Sequence, residues 1–425
     1  MFGLKRALGD LRPILPSLLL LWGLGIYLRL TMMAAAPLAP MIREELALGE
    51  SATGALTTLP LLMLAAAAMA GSFIVARLGV RNTASLALFL VLAASAARGL
   101  SPNLLWLLAA TAVMGLGIAV LQPTLPAMVR EHCAGRVALA TAIYTNGMLV
   151  GEVIGAGLTL PLLVPLSGEN WRIAVALWSL PAIPLLFALL RHGDREDTAA
   201  IKADIRQWMP RWGDPLLWRL GLLMGATAGL FFGTNAYMAS ILESRGEGDL
   251  LAGGLLLFNT AQVIASLLML VLAGRLVLRS GPIILMMATA SLALIPFLVA
   301  SGWLALWFGF LVSLASGVQL ILLLSLPPAL ARRGETAAMA AGMFTIGYGA
   351  CFLVPLIGGA LADSLSEPRL ALLPVLLFGL LMSLQPISLG SSIRAALAAR
   401  NQEQGPHPEI ETSHDVHMPS NCDHE

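Results

Sequence analysis

Residues 104–128 read LLWLLAATAVMGLGIAVLQPTLPAM, an apolar run of 25 residues without a charged side chain. An α-helix needs about 20 mostly apolar residues to cross the hydrocarbon core of a bilayer. Helices suit this environment because they satisfy their backbone N–H and C=O groups internally, where lipid offers no hydrogen-bond partner. The stretch therefore predicts a transmembrane helix, and similar stretches recur along the chain.

The composition is typical of a chain that crosses a membrane many times. Of the 425 residues, 58% are hydrophobic and 12% are charged, whereas soluble domains carry about 25% charged residues. This imbalance excludes a soluble enzyme, since no folded domain hides so much apolar surface from water. The formal net charge of +1 provides no basic field for nucleic acid. Three scattered cysteines indicate neither a disulfide framework nor a metal site, and we expect no cofactor.

The apolar runs predict twelve transmembrane helices, so the expected fold is an all-α integral membrane protein. Their approximate bounds are 14–36, 53–75, 83–97, 104–128, 138–164, 172–190, 216–240, 250–273, 283–301, 304–328, 337–361 and 370–389. Cytoplasmic loops are enriched in lysine and arginine. With the N-terminus inside, nineteen of these residues lie in cytoplasmic segments and five on the opposite side. We therefore expect both termini in the cytoplasm and the chain in the inner (plasma) membrane of a bacterial-type cell.

A polar stretch midway along the chain divides the predicted spans into two sets of six. We expect an N-terminal six-helix half (1–190), a cytoplasmic linker (191–215), a C-terminal six-helix half (216–390) and a disordered cytoplasmic tail (391–425). Internal repeats agree with this division. RLGVR at 77–81 and RLVLR at 275–279 lie 198 residues apart, and Gln122 and Gln319 lie 197 apart.

Twelve spans in two parallel six-helix repeats resemble the major facilitator superfamily, whose fold has a central cavity between its halves. The resemblance implies alternating access, with gating loops after spans 2 and 8. The gating-loop residues are Arg77, Gly79, Arg81, Arg275 and Arg279. The superfamily's signature G-x-x-x-D-R-x-G-R-R survives here only in part, because Ala76 stands where the aspartate is expected.

Several shorter segments narrow this resemblance. They are GIYLR at 25–29, GLGIAVLQ at 115–122, FFGTNAY at 231–237, LLLFN at 255–259, and Gly342-Met343 with Gly347-Tyr348. These segments are similar to the cyanate and nitroimidazole transporter family, and the similarity covers nearly the whole chain. It implies transport of a cyanate-like anion or of a nitroimidazole.

Two charged residues, Arg29 and Glu152, lie well inside apolar runs. A charge at the membrane centre costs about 2.5–3.5 kcal/mol on insertion scales, so such residues usually face a cavity and have a partner. They stand about 15 and 14 residues into spans of the same direction, which places them near one depth at 1.5 Å rise per residue. We interpret Arg29 as an anion-binding group, because guanidinium offers a permanent charge and a planar set of donors. Glu152 is the predicted proton-coupling residue, and a buried structural salt bridge is the alternative for the pair.

Neutral polar residues inside the spans are further candidates for substrate binding, because lipid cannot satisfy their hydrogen-bonding groups. They are Gln122, Tyr144, Asn146, Asn235, Tyr237, Asn259, Gln262, Gln319 and Tyr348. Gln122 and Gln319 stand out, since they are repeat-related and the resemblance places spans 4 and 10 beside the cavity. Contacts that hold the helices together are the alternative for each residue.

These features predict a secondary active transporter that moves a small, cyanate-like anion, driven by protons or by the gradient of the solute itself. Export of a small drug-like or heterocyclic compound, such as a nitroimidazole, is the alternative. A third hypothesis is a membrane sensor or enzyme on a transporter scaffold, although His132 and His192 lie in predicted loops rather than in spans. The chain has no GxxxxGKS/T nucleotide-binding loop, which argues against direct ATP drive. The expected partners are the solute, protons and the lipid bilayer, and the expected assembly is a monomer.

Overall fold

The computed structural model describes residues 14–46, 50–191, 208–332, 334–384 and 386–403. Several predictions concern residues outside these ranges. The residues concerned are the basic N-terminal segment 1–13, most of the linker (192–207) and most of the tail (404–425).

Helices dominate the described residues, and these residues contain no β-strand. The first helices are α1 (Leu15–Met33), α2 (Ala35–Leu46), α3 (Glu50–Gly99), α4 (Leu104–His132), α5 (Val137–Leu158), α6 (Trp171–Leu177) and α7 (Ala182–Arg191). The later ones are α8 (Pro215–Ser244), α9 (Leu251–Leu276), α10 (Ser280–Val299), α11 (Gly302–Leu324), α12 (Leu326–Leu330), α13 (Thr336–Leu365), α14 (Leu373–Ser383) and α15 (Pro386–Glu403). A π-helical segment, Thr159–Leu163, extends α5. The all-α fold class is therefore confirmed.

Ten helical segments among the described residues are long and apolar enough to cross a membrane. One of them, Leu62–Gly99, has 38 residues and overlaps both the second and the third predicted span. Gly79 lies inside it with φ 78° and ψ 167°, so two helices meet there in a tight turn. Glycine tolerates this positive φ because it has no Cβ. The shorter apolar helix Pro368–Ser383 overlaps the twelfth predicted span. The number of membrane crossings and the side of each terminus stay predictions.

The outer surface of the helices is apolar, as a lipid-facing surface requires. Large side chains such as Leu105, Leu256 and Val271 are 77%, 72% and 80% exposed. Soluble proteins rarely expose continuous apolar surface on this scale. The hydroxyl, amide and guanidinium groups considered below lie mostly inside, between the helices.

Helix packing positions the interior polar groups. In the N-terminal helices (residues 14–191), α1 packs along α5 and α3 packs along α4. In the C-terminal helices (residues 208–403), α8 packs along α13, and α11 packs against both α9 and α10. The two sets meet where α13 packs against α3 and where α9 packs against α5.

Three glycines bring the backbones of α1 and α5 into direct contact. A Cβ on Gly147, Gly151 or Gly155 would lie 2.2, 2.3 or 2.4 Å from a carbonyl oxygen of α1. Those oxygens belong to Trp22, Ile26 and Leu30, which follow one another at the same four-residue step. Small residues at this spacing let membrane helices approach closely. The contact holds Arg29 of α1 and Glu152 of α5 in one rigid pair of helices.

Candidate functional site

A cavity lies between the N-terminal and the C-terminal helices, with an empty volume of about 380 Å³. Its walls come from α1, α5, α8, α9, α11 and α13. The lining residues are Arg29, Met148, Leu149, Glu152, Met224, Thr227, Ala228, Phe231, Phe232, Gln262, Ser316, Leu320 and Tyr348. Most of this wall is apolar, so charged and polar groups inside it interact in a medium of low dielectric constant, where electrostatic forces are strong.

Arg29 is the cation of this cavity. Its side chain is buried, and its Nη2 donates a hydrogen bond to Tyr348 Oη at 3.3 Å. Its Cζ lies 5.4 Å from the centroid of the Phe232 ring, a distance typical of a cation–π contact. Nε and Nη1 have no hydrogen-bond partner among the described residues. Buried donors on a charged group are costly to leave unpaired, which makes the guanidinium a strong attractor for an anion.

Tyr348 links the two sets of helices. Its buried hydroxyl on α13 accepts from Arg29 Nη2 and also from Gln122 Nε2 of α4, each at 3.3 Å. A tyrosine hydroxyl has two acceptor lone pairs and one donor hydrogen. Both lone pairs are used here, so the hydrogen is available for a group in the cavity.

Glu152 lines the same cavity as Arg29 and is half-buried. The ion pairs within the described part of the chain do not include one between these two residues. The direct salt bridge considered as the alternative for this pair is therefore not formed in this conformation, although both side chains line one cavity. The carboxylate and the guanidinium leave between them a site that carries both signs of charge.

The structure brings together some of the predicted binding residues. Arg29, Glu152, Gln262 and Tyr348 line the cavity, and Gln122 joins it through its bond to Tyr348. Gln262 Nε2 also donates to the backbone oxygen of Ser313 at 3.0 Å, which ties α9 to α11.

Three other predicted residues lie outside the cavity lining and hold helices to one another. Asn146 accepts from Trp22 Nε1 at 3.0 Å and donates to Ser266 Oγ at 2.9 Å, which links α5 to α1 and α9. Asn235 Nδ2 donates to Asn259 Oδ1 at 3.3 Å, joining α8 and α9.

The remaining predicted residues are also outside the lining. Tyr237 donates to the backbone oxygen of Pro355 at 3.0 Å. Tyr144 and Gln319 are buried, and Gln319 Nε2 has no hydrogen-bond partner among the described residues. Gln122 and Gln319 are repeat-related in sequence but differ in their surroundings.

Two of the predicted gating-loop residues, Arg77 and Arg81, make contacts within the N-terminal set of helices. Arg81 Nε donates to the backbone oxygen of Leu189 at 3.0 Å, at the end of α7. The Cζ of Arg77 lies 4.4 Å from the centroid of the Phe73 ring, so the guanidinium stacks on that ring. Gly79 forms the turn described above, Arg275 lies in the last turn of α9, and Arg279 precedes α10.

A different arginine joins the two sets of helices. Arg130, in the last turn of α4, donates from Nη1 to the backbone oxygen of Pro328 in α12 at 2.6 Å. The two residues are 198 apart in sequence, which is the offset of the internal repeat. The corresponding ends of two repeat-related helices are therefore in contact.

Sequence reasoning missed several lining residues, including Ser316, Met148, Met224 and Leu320. Each lies on a helix that is apolar over most of its surface, so no periodic signal separates its lipid-facing side from its cavity-facing side. Ser316 stands three residues before Gln319, and no feature of the sequence distinguishes it from Ser313, the other serine of α11.

The family model described as Major Facilitator Superfamily matches residues 21–355, which is most of the chain. The chain belongs to the Major Facilitator Superfamily. The superfamily predicted from the repeats is thus confirmed, and its family and fold are those of transporters rather than of enzymes.

Two relatives in the superfamily carry functional names. The chain is 28% identical over 253 residues to the cyanate transport protein CynX of Escherichia coli, covering 59% of this chain and 65% of CynX, just under two-thirds of that protein. It is 29% identical over 366 residues to the 2-nitroimidazole transporter of the same species, covering 84% of this chain and 91% of that protein. The narrower resemblance to cyanate and nitroimidazole transporters is confirmed at this level of identity.

A solved structure of the superfamily has the same fold. The proton:xylose symporter XylE superposes with a TM-score of 0.68 and 14% sequence identity, covering 91% of this chain and 99% of that one. At this identity the likeness concerns the fold alone.

Proposed function

We propose that the protein is a secondary active transporter of a small anion, which it moves together with protons by alternating access. The observation that carries this proposal is Arg29, a buried guanidinium that lines the cavity with two nitrogens lacking partners among the described residues. A fixed cation in an apolar cavity attracts anions and disfavours cations. The cavity volume of about 380 Å³ lies near the lower end of the range for small-molecule sites, which agrees with a small solute.

Glu152 is the proposed proton carrier. When it is ionised, its charge offsets that of Arg29 across the shared cavity and makes the cavity a poor site for an anion. When it is protonated, this competition disappears, so an anion and a proton occupy the cavity together. The empty protein then changes conformation with the two charges balancing each other, which avoids moving a net charge through the membrane interior.

Alternating access requires two sets of helices that move relative to each other. We propose that these are the six-helix halves 1–190 and 216–390, with the linker 191–215 between them, in a monomer of the inner membrane. In the predicted orientation, Arg130 and Pro328 lie at the cytoplasmic end of the cavity. The hydrogen bond between them favours an interpretation of this conformation as closed toward the cytoplasm.

A cyanate-like anion agrees with the relationship to CynX, whose name states cyanate transport. The second candidate is a nitroimidazole or a similar small heterocycle. It is favoured by the longer alignment with the 2-nitroimidazole transporter and by the Phe231 and Phe232 rings in the cavity wall, which offer faces for stacking.

Uptake by proteoliposomes tests the proposal. The purified protein is reconstituted, and uptake of cyanate, nitrate, small carboxylates and a nitroimidazole is measured with and without an inward proton gradient. We expect anion uptake that the gradient accelerates. Uptake of the neutral heterocycle alone would favour the second candidate, and the absence of uptake of every compound would contradict both.

A further inference from the structure

Three hydroxyl groups line the cavity, and they differ in their hydrogen bonds. Thr227 Oγ1 donates to the backbone oxygen of Leu223 at 2.7 Å. Tyr348 Oη accepts from two donors, as described above. Ser316 Oγ is buried and has no hydrogen-bond partner among the described residues. Ser316 thus brings an unsatisfied hydroxyl to the cavity wall.

The hydrogen bonding of Ser316 differs from that of Ser313, which lies in the same helix, and of Ser325, which directly follows the helix. Serine in a helix usually donates to a nearby carbonyl oxygen. Ser313 Oγ donates to the backbone oxygen of Phe258 at 2.6 Å, and Ser325 Oγ donates to that of Ile321 at 2.8 Å. A buried hydroxyl without a partner is unfavourable, so a ligand that accepts its hydrogen bond gains free energy on binding.

Ser316 and Arg29 reach the cavity from different sets of helices. Arg29 belongs to α1, and Ser316 belongs to α11, with Leu320 one turn further along the same wall. Each carries hydrogen-bond donors that have no partner among the described residues. The donors of Arg29 are positively charged, and the hydroxyl of Ser316 is neutral. A ligand suited to both carries a negative charge at one end and a hydrogen-bond acceptor at another atom.

We propose that Ser316 is a specificity-determining residue of the transport site, where its hydroxyl donates to the acceptor atom of a substrate whose negative charge binds Arg29. This inference rests on the proposed function and deepens it. It assigns the substrates to small polyatomic anions with two separated acceptor atoms, such as cyanate or a small carboxylate. It also predicts selectivity against monatomic anions, which cannot contact both donors in the same way.

The matched substitutions Ser316→Ala and Ser313→Ala test the proposal. Both remove one hydroxyl from the same helix, but the Ser313 hydroxyl bonds to backbone outside the cavity lining. We expect Ser316→Ala to raise the apparent KM for cyanate about tenfold, which corresponds to about 1.4 kcal/mol, with an unchanged maximal rate. Ser313→Ala should change the KM less than twofold. Inhibition of uptake by bromide, a monatomic anion, should be equal in wild type and in Ser316→Ala.

Several outcomes overturn the inference. An unchanged KM in Ser316→Ala contradicts it, as does an equal loss of affinity for cyanate and bromide. Ser316→Thr, which keeps the hydroxyl, should restore the KM, and failure of this rescue also contradicts it. If Ser316→Ala does not fold, Ser316→Gly, which also removes the hydroxyl, is measured in its place with the same criteria. Arg29→Ala separates the failure of the proposed function from the failure of the role of Ser316. Full transport by Arg29→Ala refutes the proposed function. If Arg29→Ala impairs transport but Ser316→Ala does not, only the role of Ser316 is refuted.

Discussion

The guanidinium of Arg29 in α1 donates to the hydroxyl of Tyr348 in α13 at 3.3 Å, across the boundary between the N-terminal and C-terminal helices. The same hydroxyl accepts from Gln122 of α4. The residue that we propose to bind the anion therefore also contacts the other set of helices. Any movement that separates α13 from α1 and α4 breaks both bonds and frees further donors of Arg29.

Arg29→Ala is expected to lower anion uptake about 100-fold, because hydrogen bonds to charged groups contribute about 1.5–3 kcal/mol each. Arg29→Lys should recover little, since an ammonium group cannot reproduce the planar set of donors. Uptake by proteoliposomes measures the effect, and gel filtration checks folding. Arg43→Ala, which removes an exposed arginine of α2 away from the cavity lining, is the control. Wild-type uptake by a folded Arg29→Ala protein would leave Arg29 a structural residue only.

Gln122→Ala is expected to raise the apparent KM about three- to tenfold without changing the proton dependence, because Tyr348 then loses one of its two donors. This change in KM corresponds to the net contribution of a typical hydrogen bond, which is about 0.5–1.5 kcal/mol. Gln319→Ala is the matched comparison. The repeat alone predicts equal effects for both residues, whereas the structure predicts a smaller effect at Gln319, which lies outside the cavity lining. A larger effect at Gln319 would show that another conformation brings it to the substrate.

Glu152→Gln is expected to retain anion exchange but to lose accumulation driven by a proton gradient, because the amide permanently resembles the protonated acid. Exchange of labelled for unlabelled substrate and uptake under an imposed pH gradient are measured on the same vesicles. A Glu152→Gln protein that still concentrates its substrate in response to the gradient excludes this residue as the coupling group. Loss of folding together with exchange would indicate a structural role.

Arg130→Gln is expected to destabilise the closed end of the cavity, because it removes a charge-assisted hydrogen bond to Pro328. Such a bond contributes about 1.5–3 kcal/mol, so the population open at that end should rise at least tenfold. The three native cysteines, Cys133, Cys351 and Cys422, are first replaced by alanine. Alkylation of a single cysteine introduced beside the cavity, by a reagent added from the cytoplasmic side, then measures this population. Arg394→Ala, on the exposed side of α15, is the control. Equal alkylation rates in all three proteins would contradict the role of Arg130 as a gate.

Part of this molecule is determined locally, and the sequence predicts that part well. The run at 104–128 has to be helical wherever it lies in lipid, because no other structure satisfies its backbone there. Arg29 and Glu152 stand out for a similar reason, since a charge in an apolar span needs a polar environment. Both residues line the cavity in the structure. The repeats likewise indicated the superfamily, because related halves keep a nearly constant offset along the chain, here 197 or 198 residues.

Other features depend on which side of each helix meets another helix, and only the tertiary structure decides them. A membrane helix is apolar toward lipid and toward its neighbours alike, so its hydrophobic pattern does not show which face lines the cavity. Ser313 and Ser316 are separated by less than one turn, yet one bonds to backbone and the other has an unsatisfied hydroxyl in the cavity wall. The chain specifies which residues enter the membrane, because transfer into lipid depends on composition. Close packing of helices distant in sequence then decides which few of these residues line the cavity.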